Sequence, residues 1–219
     1  MSALVIAGVD ARDAAQFGGK AAALSALMRA GFDVPSFIAV TPEAFTENGL
    51  SAAARDLIAA QALGPGPFAV RSSGREEDGA AHSHAGQFLS LLEIPAEGIE
   101  AAAVKVWRSG QTETLRSYRA SRGLDPDGGA PAVIIQRLVK ARAAGVAFSA
   151  DPVSGRRDRI VVSAVAGLGD RLVGGELDGD SYVLDRARLD QPLDDHRGRP
   201  AVRIEAARGP IGAQRFGLS

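Results

Sequence analysis

Phe68-Ala-Val-Arg-Ser-Ser-Gly-Arg-Glu-Glu-Asp-Gly-Ala-Ala-His-Ser-His-Ala-Gly-Gln-Phe-Leu-Ser90 is the stretch around which the rest of the sequence falls into place. It starts as a short apolar strand that delivers Arg71, Ser72 and Ser73 to its end. A polar loop rich in Gly and Ala follows, and a second strand begins at Phe88. An arginine and two hydroxyls at a strand end, beside a small-residue loop, suit a polyphosphate. The guanidinium offers a planar charged fork, while hydroxyls and backbone N–H groups fill the remaining positions. A surface hairpin with a solvated charge cluster fits the same stretch equally well when it is taken alone.

Upstream, residues 3–9 are apolar enough for a short strand, and Phe17-Gly-Gly-Lys-Ala-Ala-Ala-Leu-Ser-Ala-Leu-Met-Arg-Ala-Gly31 runs from two glycines into a helix. Leu24, Leu27 and Met28 form its apolar stripe, and Gly31 is a natural stop. Lys20 sits at the helix N-terminus, where the dipole and unpaired N–H groups favour anions. The Walker pattern is absent, and a helix cap with a solvated lysine is the competing reading. Val34-Pro-Ser-Phe-Ile-Ala-Val40 predicts a strand, with Thr41 as N-cap of a helix that has Pro42 at its first position. Residues 51–63 predict a helix ended by Gly64-Pro-Gly-Pro67.

Downstream, residues 97–122 predict two helices broken at Ser109-Gly110, with Trp107 a core residue rather than a ligand platform. Strands follow at Pro131–Val139, Gly145–Pro152, Arg159–Val165 and Ser181–Asp185. Their close spacing without intervening helices predicts a mainly antiparallel sheet in this half. The fold class is therefore α+β. The expected division is 1–95, 96–190 and a tail or truncated remainder at 191–219.

With 25 basic against 26 acidic residues, the net charge of −1 gives no electrostatic reason to expect nucleic acid or an anionic membrane as partner. Arg156-Arg157-Asp158-Arg159 reads as a charged turn. The absence of cysteine excludes disulfides, thiolate metal sites and a Cys nucleophile, and fits a cytoplasmic protein. No apolar run is long enough to predict a membrane span, and the N-terminus lacks the basic start of a signal peptide.

Several blocks in order resemble the nucleotide-binding domain of the phosphoenolpyruvate synthase and pyruvate phosphate dikinase family, which also includes the rifampicin phosphotransferases. They are Gly18-Gly-Lys-Ala-Ala22, Val34-Pro-Ser-Phe-Ile-Ala-Val-Thr41, Val70-Arg-Ser-Ser73, Ser83-His-Ala-Gly-Gln87, Ile135-Gln-Arg-Leu-Val139, Gly145-Val-Ala-Phe-Ser-Ala-Asp-Pro-Val-Ser-Gly155 and Gly167-Leu-Gly-Asp170. The resemblance covers roughly residues 17–185 and implies an ATP-grasp-like fold of two subdomains. It implies that Lys20 and Arg71 contact ATP phosphates, with Arg71 also stabilising the charge in transfer. Ser72 and Ser73 complete the phosphate side. Gly86 and Ser90 match the glycine and hydroxyl residue near the nucleotide, and Gln136 matches the glutamine beside the adenine. The backbone of Arg137, Leu138 and Val139 matches the hinge.

The function implied is that of an ATP-binding domain or subunit passing phosphate from ATP to a histidine on another domain or chain. Its cofactors would be ATP and Mg²⁺, and its partner a phosphohistidine-bearing domain. Asp170 replaces the usual glutamate of the Gly-Leu-Gly block, and the family's metal-holding end finds only faint echoes in Arg203-Ile-Glu205 and Gln214-Arg215. The metal ligands are therefore not identified. His82 and His84 read as loop residues near phosphate. The alternative is a non-catalytic nucleotide-binding or interaction module that has lost the metal-binding end.

Overall fold

β-Branched and aromatic residues concentrate in Phe37-Ile-Ala-Val40 and Ala132-Val-Ile-Ile-Gln-Arg137, and both segments are strands buried along nearly their whole length. The computed structural model describes residues 3–61, 63–74, 89–121, 130–186 and 205–207; side chains at 114, 115, 118, 119 and 205–207 lie outside that description. In chain order the elements are β1 (Val5–Ala7), α1 (Ala14–Arg29), β2 (Phe37–Val40), β3 (Phe45–Thr46), β4 (Gly49–Leu50), α2 (Ala52–Ala60), β5 (Phe68–Ser73), β6 (Ser90–Ile94), α3 (Ile99–Ser109) and α4 (Glu113–Ser121). They continue as β7 (Ala132–Arg137), β8 (Ala143–Phe148), β9 (Arg159–Ala166), α5 (Asp170–Val173), β10 (Asp180–Asp185) and β11 (Glu205–Ala207). The fold is α+β, as expected, and among the described residues every strand pair is antiparallel.

Two compact units divide the chain, Met1–Val139 and Lys140–Ser219. The boundary expected at residue 95 falls inside the first, between β6 and α3. In that unit a five-stranded sheet has the order β1-β2-β7-β5-β6, with β7 at its centre. Strand alternation sends Ile38, Val40, Phe68, Val70, Val133 and Ile135 to one face, where Ala54 of α2 and Ala102, Ala103 and Val106 of α3 cover them. Phe37, Ala39 and Ile134 point to the other face and pack with Phe17 and Ala21 of α1. Burying each such large side chain stabilises the unit by about 1.5–3 kcal/mol. Trp107 packs on the first of these clusters and stacks on Phe45 at 5.0 Å, the core role its helical spacing predicted.

Helix ends follow local chemistry. Asp13 caps α1 through the Ala15 N–H at 2.9 Å, and Ser51 caps α2 through Ala54. At the far end of α1, Gly31 has φ 85°; its N–H reaches Met28 O and the Phe32 N–H reaches Leu27 O, a Schellman stop. Thr41 departs from expectation. It precedes only a single 3-10 turn, Pro42–Ala44, and its buried hydroxyl makes no capping bond. The second unit carries a four-stranded sheet of order β11-β10-β9-β8. Of the expected tail, only 205–207 are described, as an edge strand on β10.

Candidate functional site

Strand β5 ends in the Arg71-Ser72-Ser73 triplet, and its pleat settles where each side chain goes. Ser72 lies on the same face as Phe68 and Val70, fully buried, with a hydroxyl that has no partner. Arg71 and Ser73 lie on the opposite face, the one covered by α1. Arg71 stands across from Ile134 of β7 and Ser90 of β6, so the exposed Ser90 shares its face. Gln136 is two positions along β7 from that pair, a diagonal neighbour about 7–8 Å from Arg71. Its side-chain amide donates to Pro35 O at 3.1 Å and only 8% of the residue is exposed, so it also ties β7 to the approach of β2.

Helix α1 brings Lys20 to the same place through a break in its own backbone. Gly18 has φ 79° and ψ 164°, and the regular helix restarts after it. This region of conformational space is essentially restricted to glycine. The reason for the break is contact: a Cβ at Gly18 would overlap the carbonyl and hydroxyl oxygens of Ser73. The next residues continue the clamp. Gly19 N–H donates to Gly74 O at 3.0 Å, Lys20 Nζ reaches Ser72 O at 3.5 Å, and Ala21 N–H donates to Ser73 Oγ at 3.2 Å. Lys20 is half-buried rather than a solvated cap residue.

The clamp corrects one expectation. The N–H groups of Gly19 and Ala21 are spent on Gly74 and Ser73, so the helix start does not present them to an anion. What remains at this strand end are the side chains of Lys20, which comes from the helix, and Arg71, which belongs to the strand. Among the described residues no ion pair engages Arg71. Nothing in the sequence near Lys20 announced the Ser73 contact, because it spans 52 residues; the Gly18-Gly19 pair was its only trace.

Other expected site residues are placed separately. Arg137 N–H donates to Ser36 O and Leu138 N–H to Pro67 O, both at 2.9 Å, which extends the ladder beyond β7. Val139 is 57% exposed at the end of the first unit. Gly86, with His82 and His84, lies outside the described residues. Among the described residues no group of three or more His, Asp or Glu side chains is arranged to hold a metal ion, and no helix is long and apolar enough to cross a membrane. The Arg156-Arg157-Asp158-Arg159 run forms the charged turn its sequence indicated, with Arg156 paired to Asp158.

An α+β chain with two cations converging on a strand end is the kind of protein that binds a phosphorylated ligand, and comparison with known proteins agrees. The family model of the pyruvate phosphate dikinase AMP/ATP-binding domain matches residues 46–209. The chain belongs to this family. Arg71, Ser90 and Gln136 fall within the matched span, and Lys20 precedes it. The chain is 33% identical to the prodigiosin synthesizing transferase PigC of Serratia marcescens over 78% of its length, and 34% identical to a rifampicin phosphotransferase of Streptomyces over 80%. It is 37% identical to the phosphoenolpyruvate synthase of Aeropyrum pernix over 56%. These alignments span 22%, 25% and 15% of those proteins respectively, so the chain corresponds to a minor part of each.

Proposed function

We propose that this chain is the ATP-grasp-like, ATP-binding part of a phosphotransferase, and that it passes phosphate from ATP to a histidine on another domain or chain. The observation that carries the reading is the clamp between Gly18–Ala21 and Ser72–Gly74, which holds Lys20 beside the Arg71 strand end. Transfer to an imidazole forms a P–N bond and breaks a P–O bond of ATP, with the electron pair leaving on the nucleotide oxygen. Negative charge shifts toward that oxygen as the bond breaks. Lys20 and Arg71 would neutralise it, Arg71 through its planar fork and Lys20 as a point charge. Gln136 and the backbone of Arg137, Leu138 and Val139 would take the base side. Ser90, and Gly86 before it, would flank the nucleotide.

Mg²⁺, when bound, would supply positive charge that offsets the charge of the phosphates. Among the described residues no cluster of acidic or histidine side chains is fit to hold it.

The test is isothermal titration with ATP in the presence of Mg²⁺. A charge-assisted contact to phosphate contributes about 1.5–3 kcal/mol, so Lys20→Ala and Arg71→Ala should each raise Kd by roughly 10- to 100-fold. Unchanged affinity in both variants would remove this site assignment. Labelled ATP then separates transfer from mere binding: with binding proven, label that reaches no histidine of the full-length protein or its partner points to a binding module.

A further inference from the structure

We infer that Ser73 is a positioning residue that serves the nucleotide through Lys20 and does not itself bind phosphate; this rests on the ATP-site reading above. The helix segment that restarts after Gly18 has Gly18 as its N-cap by backbone conformation, with Gly19, Lys20 and Ala21 at its first three positions. A helix start leaves its first N–H groups without intrahelical partners, and an N-cap side chain normally accepts from the third of them. Gly18 cannot do so. It has no side chain, and it cannot gain one, because a Cβ there would overlap Ser73.

Ser73 takes over the missing role from another strand. Its hydroxyl accepts the Ala21 N–H at 3.2 Å, the donor that a serine at the cap position would have satisfied. The residue is fully buried, the last of β5, on the α1 face of the strand and directly beneath the helix start. Gly74 completes the arrangement by accepting the Gly19 N–H at 3.0 Å. Lys20 sits between these two fastened residues. Its backbone is therefore fixed from both sides while its side chain reaches along the strand to Ser72 O. A hydroxyl that is buried under the helix and already accepts a hydrogen bond is poorly placed for a phosphate; its effect on ATP passes through the position of Lys20.

A double-mutant cycle on ATP affinity tests this, with Kd measured for the wild type, Ser73→Ala, Lys20→Ala and the double variant. Adenosine, which lacks phosphates, serves as the control ligand. The expected result is a 3- to 10-fold weaker ATP affinity for Ser73→Ala, no further loss when Ser73→Ala is added to Lys20→Ala, and unchanged adenosine binding. Additive losses would show that Ser73 contacts the phosphates independently, and would overturn the inference. So would an equal loss of adenosine affinity, or no loss of ATP affinity in the single variant. If Ser73→Ala does not fold, Ser73→Cys replaces it, since it keeps the shape and weakens the acceptor; the same outcomes decide. Absence of ATP binding by the wild type would remove the nucleotide reading itself. Lys20→Ala without effect on ATP would remove Lys20 from the phosphate site and the role of Ser73 with it, and additivity would remove only the role of Ser73.

Discussion

Gly18 shows how much a single position can carry. Its φ of 79° with ψ of 164° excludes ordinary side chains, and the space a Cβ would need is filled by Ser73. Gly18→Ala should therefore cost both backbone strain and a steric shift of β5, together about 2–5 kcal/mol. Gly31 provides the comparison. Its φ is also positive, at 85°, but nothing lies within 4 Å of its would-be Cβ. Gly31→Ala should cost only the conformational part, about 1 kcal/mol. Urea denaturation of the two variants checks the difference, and equal midpoints would show that close approach plays no part at Gly18. The sequence revealed the glycine pair and the lysine after it, and placed Arg71 at a strand end. It did not reveal Ser73 as the contact, because hydrogen bonds between distant residues leave no mark on periodicity.

At the scale of elements, strand and helix patterns were legible wherever burial is one- or two-sided and regular. The Ser109-Gly110 break separates α3 from α4, and β7, β9 and β10 fall within two residues of their expected limits. The irregularity in β6 was not legible. Glu93 has φ 56° beside a register shift between β5 and β6, yet glutamate is not a residue type that signals a bulge. The β8–β9 turn was more open to reading. Asp151 accepts from the Val153 N–H at 2.9 Å, the Ser154 N–H at 3.3 Å and the Ser154 hydroxyl at 2.6 Å. The Ser154 hydroxyl, followed by the two N–H groups, holds the carboxyl below its ordinary value of 3.8. A depressed carboxyl contributes stability that is fully present above the unfolded value and is lost as pH falls through the folded one. The Val153 and Ser154 amide signals should thus shift together as pH falls, with a midpoint below 3.8. In Asp151→Ala the same signals should show no such transition. A midpoint above 3.8 in the native chain would contradict the geometry.

For the molecule as a whole, the sequence showed most of the strands, though not β3 and β4, which lie where a helix after Thr41 was expected, and it did not show the order in which they pair. Strand β7 lies far along the chain from β2 and β5, yet it inserts between them, which carries the first unit to Val139. That long-range insertion also decides where stability is concentrated. Ala132 to Gln136 of β7 are all buried, and the sheet around them is covered on both faces by apolar side chains. In the second unit no described residue is buried; Val161, Val162, Val165, Tyr182 and Leu184 are each half-buried at most. Both sheets have complete central ladders, so backbone hydrogen bonding does not distinguish them. Apolar burial does, and opening free energy follows it. In native-state hydrogen exchange, the amides of Ile134 and Ile135 should exchange only through global unfolding of their unit, with a steep dependence on denaturant. The amides of Val162 and Ala164 in β9 should exchange through an opening at least about 100-fold more populated, a gap of about 2.7 kcal/mol, with a shallower dependence. Addition of ATP raises protection by mass action in whatever it binds. On the proposed contacts to Lys20 and Arg71, ATP should slow exchange in β5 and β7 in the native chain and slow it less in Lys20→Ala at the same ATP concentration. Equal protection of β7 and β9 without ligand would show that the second sheet draws its stability from something other than the burial of its described residues.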